Sequence, residues 1–166
     1  MKEILNRRSI RQYTDRQVSD ELIDDLLKAA MAAPSAGNER PWEFIVVRDK
    51  KTLSKIIEVH PNGSMMATAS VAIVVCGNLE QEKYEGYWVQ DVSAATQNIL
   101  LAGEHFELGS VWLGVHPNAD MEREIGKILS LPETIIPFSI IPVGYPGEYK
   151  PPTDRYDYTK IHYDQW

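Results

Sequence analysis

The stretch Ala33-Pro34-Ser35-Ala36-Gly37-Asn38-Glu39-Arg40-Pro41-Trp42 joins an amphipathic helix to an apolar strand. Upstream, Ser19 is a good N-cap, and Asp20 and Glu21 complement the helix dipole in the first turn. Leu22, Ile23, Leu26, Leu27 and Ala30 then recur at helical spacing until Pro34 stops the helix. Gly37, Asn38 and Pro41 are turn formers, so Ser35–Pro41 reads as a loop. Its small residues let a flat ligand lie against the backbone, and Asn38 offers both a donor and an acceptor to a heterocycle edge. A plain helix-to-strand connection with Trp42 in the core is the competing reading.

Outward from this loop the elements alternate. Trp42–Arg48 reads as a strand, a helix follows near Lys50–Val59, and His60-Pro61-Asn62-Gly63 is a turn. Val71–Cys76 is continuously apolar, as in a strand buried on both faces. Residues 88–107 make the longest helix, with Val92, Ala95, Thr96, Ile99, Leu100 and Gly103 near one face. A strand at Val111–Val115, a helix capped by Asp120 and running to about Leu129, and a last core strand at Ser139–Val143 complete the body. Residues 2–8 form a short opening helix. The tail from Glu148 to Trp166 has no core pattern, yet carries Tyr156, Tyr158, Tyr163 and Trp166, which need a surface to bury them. Neither GxGxxG nor GxxxxGK[ST] occurs, which argues against Rossmann and P-loop folds. A mixed-sheet α+β sandwich fits the order better. Without repeats or linkers, residues 1–166 read as one domain.

Composition narrows the function. The 166 residues are 43% apolar and 25% charged, the ordinary globular range. The apolar runs Val71–Val75 and Ile135–Val143 are strand-sized, too short to span a bilayer. The start of the chain has no apolar signal-peptide region, and the lone Cys76 excludes an internal disulfide, so a cytoplasmic location is expected. A net charge of −7 disfavours nucleic acid. Against that background, Arg7, Arg8 and Arg11 fall within five residues and suggest a local anion site. If each charge-assisted contact contributes about 1.5–3 kcal/mol, two or three supply much of a micromolar affinity, about 8 kcal/mol. The bland alternative is that these arginines are solvated and favour the C-terminal end of the first helix.

Five segments in order now matter together: Arg-Arg-Ser-x-Arg at 7–11, the 33–42 loop, Gln97-Asn98, Gly109-Ser110-Val111-Trp112-Leu113-Gly114 and Pro142-Val143-Gly144-Tyr145-Pro146. In these the chain resembles the FMN-dependent nitroreductase family over nearly its whole length. The resemblance implies an α+β fold whose mixed, mainly antiparallel sheet is flanked by helices. It also implies a homodimer in which the tail 148–166 docks on the partner subunit. By the same resemblance Arg7, Arg8 and Ser9 would hold the FMN phosphate and ribityl chain, and Arg11 would sit at the pyrimidine edge. Pro34, Ser35, Ala36 and Asn38 would reach the flavin from the second subunit. Asn62 would touch the isoalloxazine, Leu113 and Gly114 would back it, and Val143, Gly144 and Tyr145 would pass under it. Arg155 would reach the phosphate from the tail.

Two positions depart from the family pattern. Arg40 stands where Gln often precedes the Pro-Trp pair, and Met65 where a lysine often follows the position of Asn62. One flavin-edge cation is thus absent and another introduced nearby, which bears on redox potential and substrate preference. The implied activity is transfer of reducing equivalents from NADH or NADPH to an electron-poor acceptor, such as a nitroaromatic or quinone, by ping-pong turnover. No catalytic side chain is needed, since the flavin carries the chemistry. Reductive dehalogenation, flavin cleavage and a non-catalytic FMN carrier or sensor are the alternatives. His60, His105, His116 and His162 lack metal-ligand spacing, so no metal is expected. Cys76 reads as an inert core thiol and Asp91 as a carboxylate of a helix N-terminus. Tyr87 and Trp88 read equally as packing residues or as cover for a substrate face.

Overall fold

The computed structural model describes all 166 residues. Its elements, in chain order, are α1 (Lys2–Asn6), α2 (Asp20–Met31), β1 (Trp42–Val47), α3 (Lys50–Val59) and β2 (Val71–Asn78). They continue with α4 (Trp88–His105), β3 (Gly109–Ser110), β4 (Leu113–Gly114), α5 (Ala119–Leu129) and β5 (Ile135–Gly144). The sheet runs β1-β2-β5-β3, with β4 also paired to β5. Every ladder is antiparallel. The one parallel pairing is an isolated bridge, Ser9 with Ser110.

β2 shows why the sheet is central. Seven of its eight residues are buried, and side chains alternate between faces along a strand. Val71, Ile73 and Val75 enter one core with Leu26 and Ala30 of α2 and Val92, Ala95 and Ile99 of α4. Ala72, Val74 and Cys76 enter the other with Leu53 and Ile56 of α3 and Ile125 of α5. A strand buried on both faces has no polar positions to alternate, hence the unbroken apolar run. Burial also pushes the Cys76 thiol up to about 12, the behaviour of an inert core thiol.

Three local expectations are corrected. β5 is a ten-residue strand that starts at Ile135, four residues before the expected Ser139, and runs through Pro137 and Pro142. The register slips between Val75 and Cys76, whose partners are Ser139 and Pro137, so the bulge passes over Phe138. Pro137 therefore sits where the ladder is already irregular, as prolines in sheets do. The expected strand at Val111–Val115 is instead two short pieces, because only Gly109–Ser110 and Leu113–Gly114 meet β5 in register. The cap of α5 is Asn118, whose side chain accepts from the Met121 N–H at 3.0 Å, while Asp120 lies in the first turn. By contrast Ser19 caps α2 as expected, accepting from the Leu22 N–H. No helix is long and apolar enough to cross a membrane.

Candidate functional site

The arginine segment is laid along the sheet end by backbone pairing. The Ile10 N–H donates to the Ser110 carbonyl at 3.0 Å, the Thr14 N–H to Tyr145 at 2.9 Å and the Gly147 N–H to Gln12 at 2.8 Å. Arg7–Arg11 is thereby placed beside the Val143–Tyr145 end of β5. The buried Tyr13 ring packs on the join: a Cβ on Gly144 would lie 3.0 Å from that ring, so a side chain there would press on it. Burial raises the Tyr13 phenol, which stays neutral and donates to the carbonyls of Ile10 and Pro142. Beyond it, the Arg16 guanidinium stacks 3.7 Å from the centroid of the half-buried Tyr145 ring.

Arg8 partly follows the bland expectation. Its Nη1 donates to the carbonyls of Leu5 and Arg7 at the end of α1, and its Nε to Pro151 at 2.8 Å. Its Nη2 is buried without any partner. Arg7 is half-buried, and its guanidinium is lowered from the usual value first by burial, then by the charges of Arg155 and Arg8. Arg7, Arg8 and Arg155 line an open cleft of about 550 Å³, with Asp154 the one acid among the lining residues. Three crowded guanidinium groups, one with an unsatisfied buried N–H, want an anion with several acceptor oxygens; a phosphate fits that donor set. Ser9 gives its carbonyl to Lys150 Nζ at 2.7 Å. Arg11 is exposed, and its backbone N–H donates to Glu148 at 2.6 Å.

A second group is assembled by His60, a residue the sequence offered no reason to single out. Its Nδ1 accepts from the Asn62 N–H at 3.2 Å and its Nε2 lies 3.0 Å from the Gly114 carbonyl. Since Nδ1 accepts, the Nε2–H tautomer donates to Gly114. The buried ring thus ties Asn62, after α3, to Leu113–Gly114 on β4. Met65 is buried under this turn.

Pro34, Ser35, Ala36 and Asn38 form a third group, held in place inside the chain. Gly37, Asn38 and Arg40 all have positive φ, at 52°, 57° and 50°. Left-handed Asn and Arg are unfavourable and persist only where surroundings over-determine them. Here the Ser35 Oγ accepts from the Arg40 N–H at 3.0 Å, and Asp91 of α4 accepts from the Ala36 N–H at 2.9 Å. Glu39 is buried and accepts from the N–H groups of Lys83 and Tyr84. The Tyr84 ring covers Gly37 so closely that a Cβ there would run into it.

Within one chain, then, the arginine cleft and the β5 end come together, and the 34–38 loop stands apart from them. The loop is fastened to Asp91 near the N-terminus of α4. The arginines adjoin α1, which meets the other end through Glu3 and His105 at 3.3 Å. Fourteen helical residues separate those anchors, about 21 Å at 1.5 Å rise per residue. Asp91 lies in the first turn of α4, as expected from the sequence, but its meeting with Glu39 has no local signal. The two are 52 positions apart, and no local pattern pairs them.

An α+β sandwich with a triple-arginine cleft at its sheet end, and a separate preformed loop at the far end of its longest helix, is the class of domain these features define. The sequence profile of the nitroreductase family matches residues 4–60 and 57–145. A Methanothermobacter thermautotrophicus protein, provisionally named NADH dehydrogenase/NAD(P)H nitroreductase, is 52% identical over 166 residues, covering 100% of this chain and 87% of its own. A Parabacteroides distasonis crystal structure with the same provisional name has a TM-score of 0.96 at 45% identity, covering 99% of this chain and 97% of that one. An FMN-dependent nitroreductase from Clostridium difficile R20291 has a TM-score of 0.92 at 34% identity, covering 100% of both chains. The chain belongs to the nitroreductase family.

Proposed function

We propose that this chain forms a homodimer with two FMN sites at the subunit interface, and passes reducing equivalents from NADH or NADPH to an electron-poor acceptor by ping-pong turnover. It is an FMN-dependent NAD(P)H oxidoreductase of the nitroreductase family. The observation that carries the site is the Arg7–Arg8–Arg155 cleft with the unpartnered buried Nη2 of Arg8. FMN, when bound, supplies the redox chemistry, accepting hydride from a nicotinamide and returning electrons to the acceptor.

The residues of the chain bind and orient. Arg7, Arg8 and Arg155 hold the phosphate, with Ser9 alongside. Arg11 is exposed at the sheet end, where its fixed cation favours negative charge on the pyrimidine edge. Val143, Gly144 and Tyr145 form the floor, Asn62 and the Leu113–Gly114 pair stand beside it, and His60 keeps those two in register. Pro34, Ser35, Ala36 and Asn38 complete the same site from the second subunit. Two features favour that division. The loop and the arginines of one chain sit at opposite ends of α4, and the tail is exposed from Pro151 to Trp166. Tyr156, Tyr158 and Tyr163 are at least 76% exposed, aromatic surface that gains by docking on a second copy. The buried Met65 leaves the flavin edge beside Asn62 without a cation, while the exposed Arg40 stands at the loop rim. A reducing, cytoplasmic setting suits the lone buried cysteine.

The test is the visible absorption spectrum of the purified protein before and after NADH under nitrogen. Flavin bands that bleach are expected, with FMN recovered on extraction. A colourless protein that takes up no added FMN overturns the reading. Flavin bands that neither NADH nor NADPH bleaches would leave the site and remove the reductase activity, favouring a carrier.

A further inference from the structure

The contact between the 34–38 loop and α4 is made by two acids and no base. Glu39 is 7% exposed and Asp91 4%. Each commits one carboxyl oxygen to backbone. Asp91 Oδ1 accepts from the Ala36 N–H, and Glu39 Oε2 accepts from Lys83 at 2.6 Å and Tyr84 at 3.3 Å. The remaining oxygens, Glu39 Oε1 and Asp91 Oδ2, are both buried and accept no hydrogen bond. Both carboxyls are held against the same stretch of chain, Asp91 through the Ala36 N–H and Glu39 through its own place three residues on, and Glu39 acts directly on the Asp91 carboxyl. No Lys, Arg or His is ion-paired with either carboxyl. Two ionised carboxylates in that position would repel each other in a dry site with no counter-charge, and neither free oxygen would have a donor. One proton held between them removes both penalties.

We propose that Glu39 and Asp91 share a single proton, and that this carboxyl–carboxylate pair is the latch that holds the left-handed Gly37–Arg40 loop in its flavin-ready shape. Both are positioning residues: they act through the Ala36 backbone and touch no substrate. The role toward flavin rests on the function proposed above; the shared proton does not.

Charge around the pair supports it. The ionisable groups facing Asp91 are Glu39 from the loop and Glu82 from the turn before α4, both acidic; Lys83 and Tyr84 contribute backbone N–H groups. Burial pushes the Asp91 carboxyl above the ordinary range, the Ala36 N–H pulls it back, and Glu39 and Glu82 raise it further. The direction fixes the pH dependence. An Asp91 carboxyl that keeps its proton above the unfolded value contributes stability that is complete at low pH. That stability is lost as pH rises through the folded value.

The test compares wild type with Asp91→Asn, Glu39→Gln and Asp91→Ala. Each amide places an N–H where the shared proton would be, keeping the latch while removing its titration. Infrared spectra of the FMN-free protein at a pH just above the usual carboxyl range should show the carbonyl band of a neutral carboxylic acid in wild type and in neither amide variant. The melting temperature of wild type should fall as pH rises above the usual carboxyl range, and that of Asp91→Asn should stay flatter. Asp91→Ala, which also strips the acceptor from Ala36, should weaken FMN about tenfold or more, and Asp91→Asn should recover most of that loss. Comparison at each pH cancels the titration of the FMN phosphate itself. A wild type without the neutral-acid band, or melting curves that run parallel in wild type and Asp91→Asn, would overturn the proposal. If the protein takes up no FMN while the band and the melting difference are present, the flavin reading falls and the shared proton stands.

Discussion

The 35–40 loop and the 151–166 tail are both irregular, and they are built on opposite principles. The loop is tied within its own chain: Ser35, Asp91 and Glu39 receive its backbone or its neighbours' backbone, and the Tyr84 ring lies against Gly37. The tail makes a few contacts with itself, such as the stacking of His162 on Trp166 at 4.2 Å and the Asp157 cap on Thr159, and stays exposed throughout. A strained loop that is rigid before any ligand arrives costs little to order on binding. An exposed aromatic tail acquires its structure from whatever it docks on. In the proposed dimer the loop of each chain would complete the site of the other, and the exposed aromatics of each tail would gain a surface.

The comparison breaks most visibly at the tail. Deleting residues 156–166 should convert a dimer to a monomer and cost FMN affinity about a hundredfold or more, since the arm contributes contact area and sets the place of Arg155. Mass in solution and bound flavin absorbance measure the two losses. Unchanged mass and flavin content would mean that the tail belongs to neither the interface nor the site.

A smaller effect is expected at the arginines. Arg7→Ala removes one guanidinium from the phosphate cleft and should weaken FMN by about ten- to a hundredfold, as a charge-assisted bond of about 1.5–3 kcal/mol predicts. Riboflavin, which has the same ring and no phosphate, should bind wild type and variant alike. Equal losses for FMN and riboflavin in a binding titration would place Arg7 at the ring and remove the phosphate assignment.

The loop sharpens the comparison with the smallest change. Gly37→Ala puts a Cβ into the Tyr84 ring at a φ of 52° and should cost about 1–2 kcal/mol of stability. Thermal unfolding measures it. Tyr84→Ala in the same chain should recover the steric part and leave the cost of the positive φ. The same exchange of glycine for alanine at Gly86, φ 82° with open space around it, separates backbone cost from collision.

Legibility followed the range of the interactions. The two-sided burial of β2 was readable from Val71–Cys76, because an unbroken apolar run carries its own meaning. The cap of α2 at Ser19 was readable because the cap lies three residues from its partner. The cap of α5 misread by two residues, since Asn118 and Asp120 are both good capping types and only the chain path selects one. β5 was read short because Pro137 is a strand breaker by composition, and only the bulge opposite Cys76 makes room for it. The arginines were conspicuous against a net charge of −7, yet nothing in residues 7–11 shows that Arg8 gives three of its five N–H donors to carbonyls and keeps Nη2 free.

By itself the sequence determined the α+β order of elements, the buried central strand, the excess of positive charge near its start and the small-residue loop, all set by neighbours within a few positions. The tertiary structure alone decided that Glu39 meets Asp91, that His60 joins Asn62 to Gly114, and that the loop and the arginines lie at opposite ends of α4. Those relations depend on which distant segments the sheet and helices bring together. A buried carboxyl or imidazole takes its chemical character from that company, whatever its place in the chain.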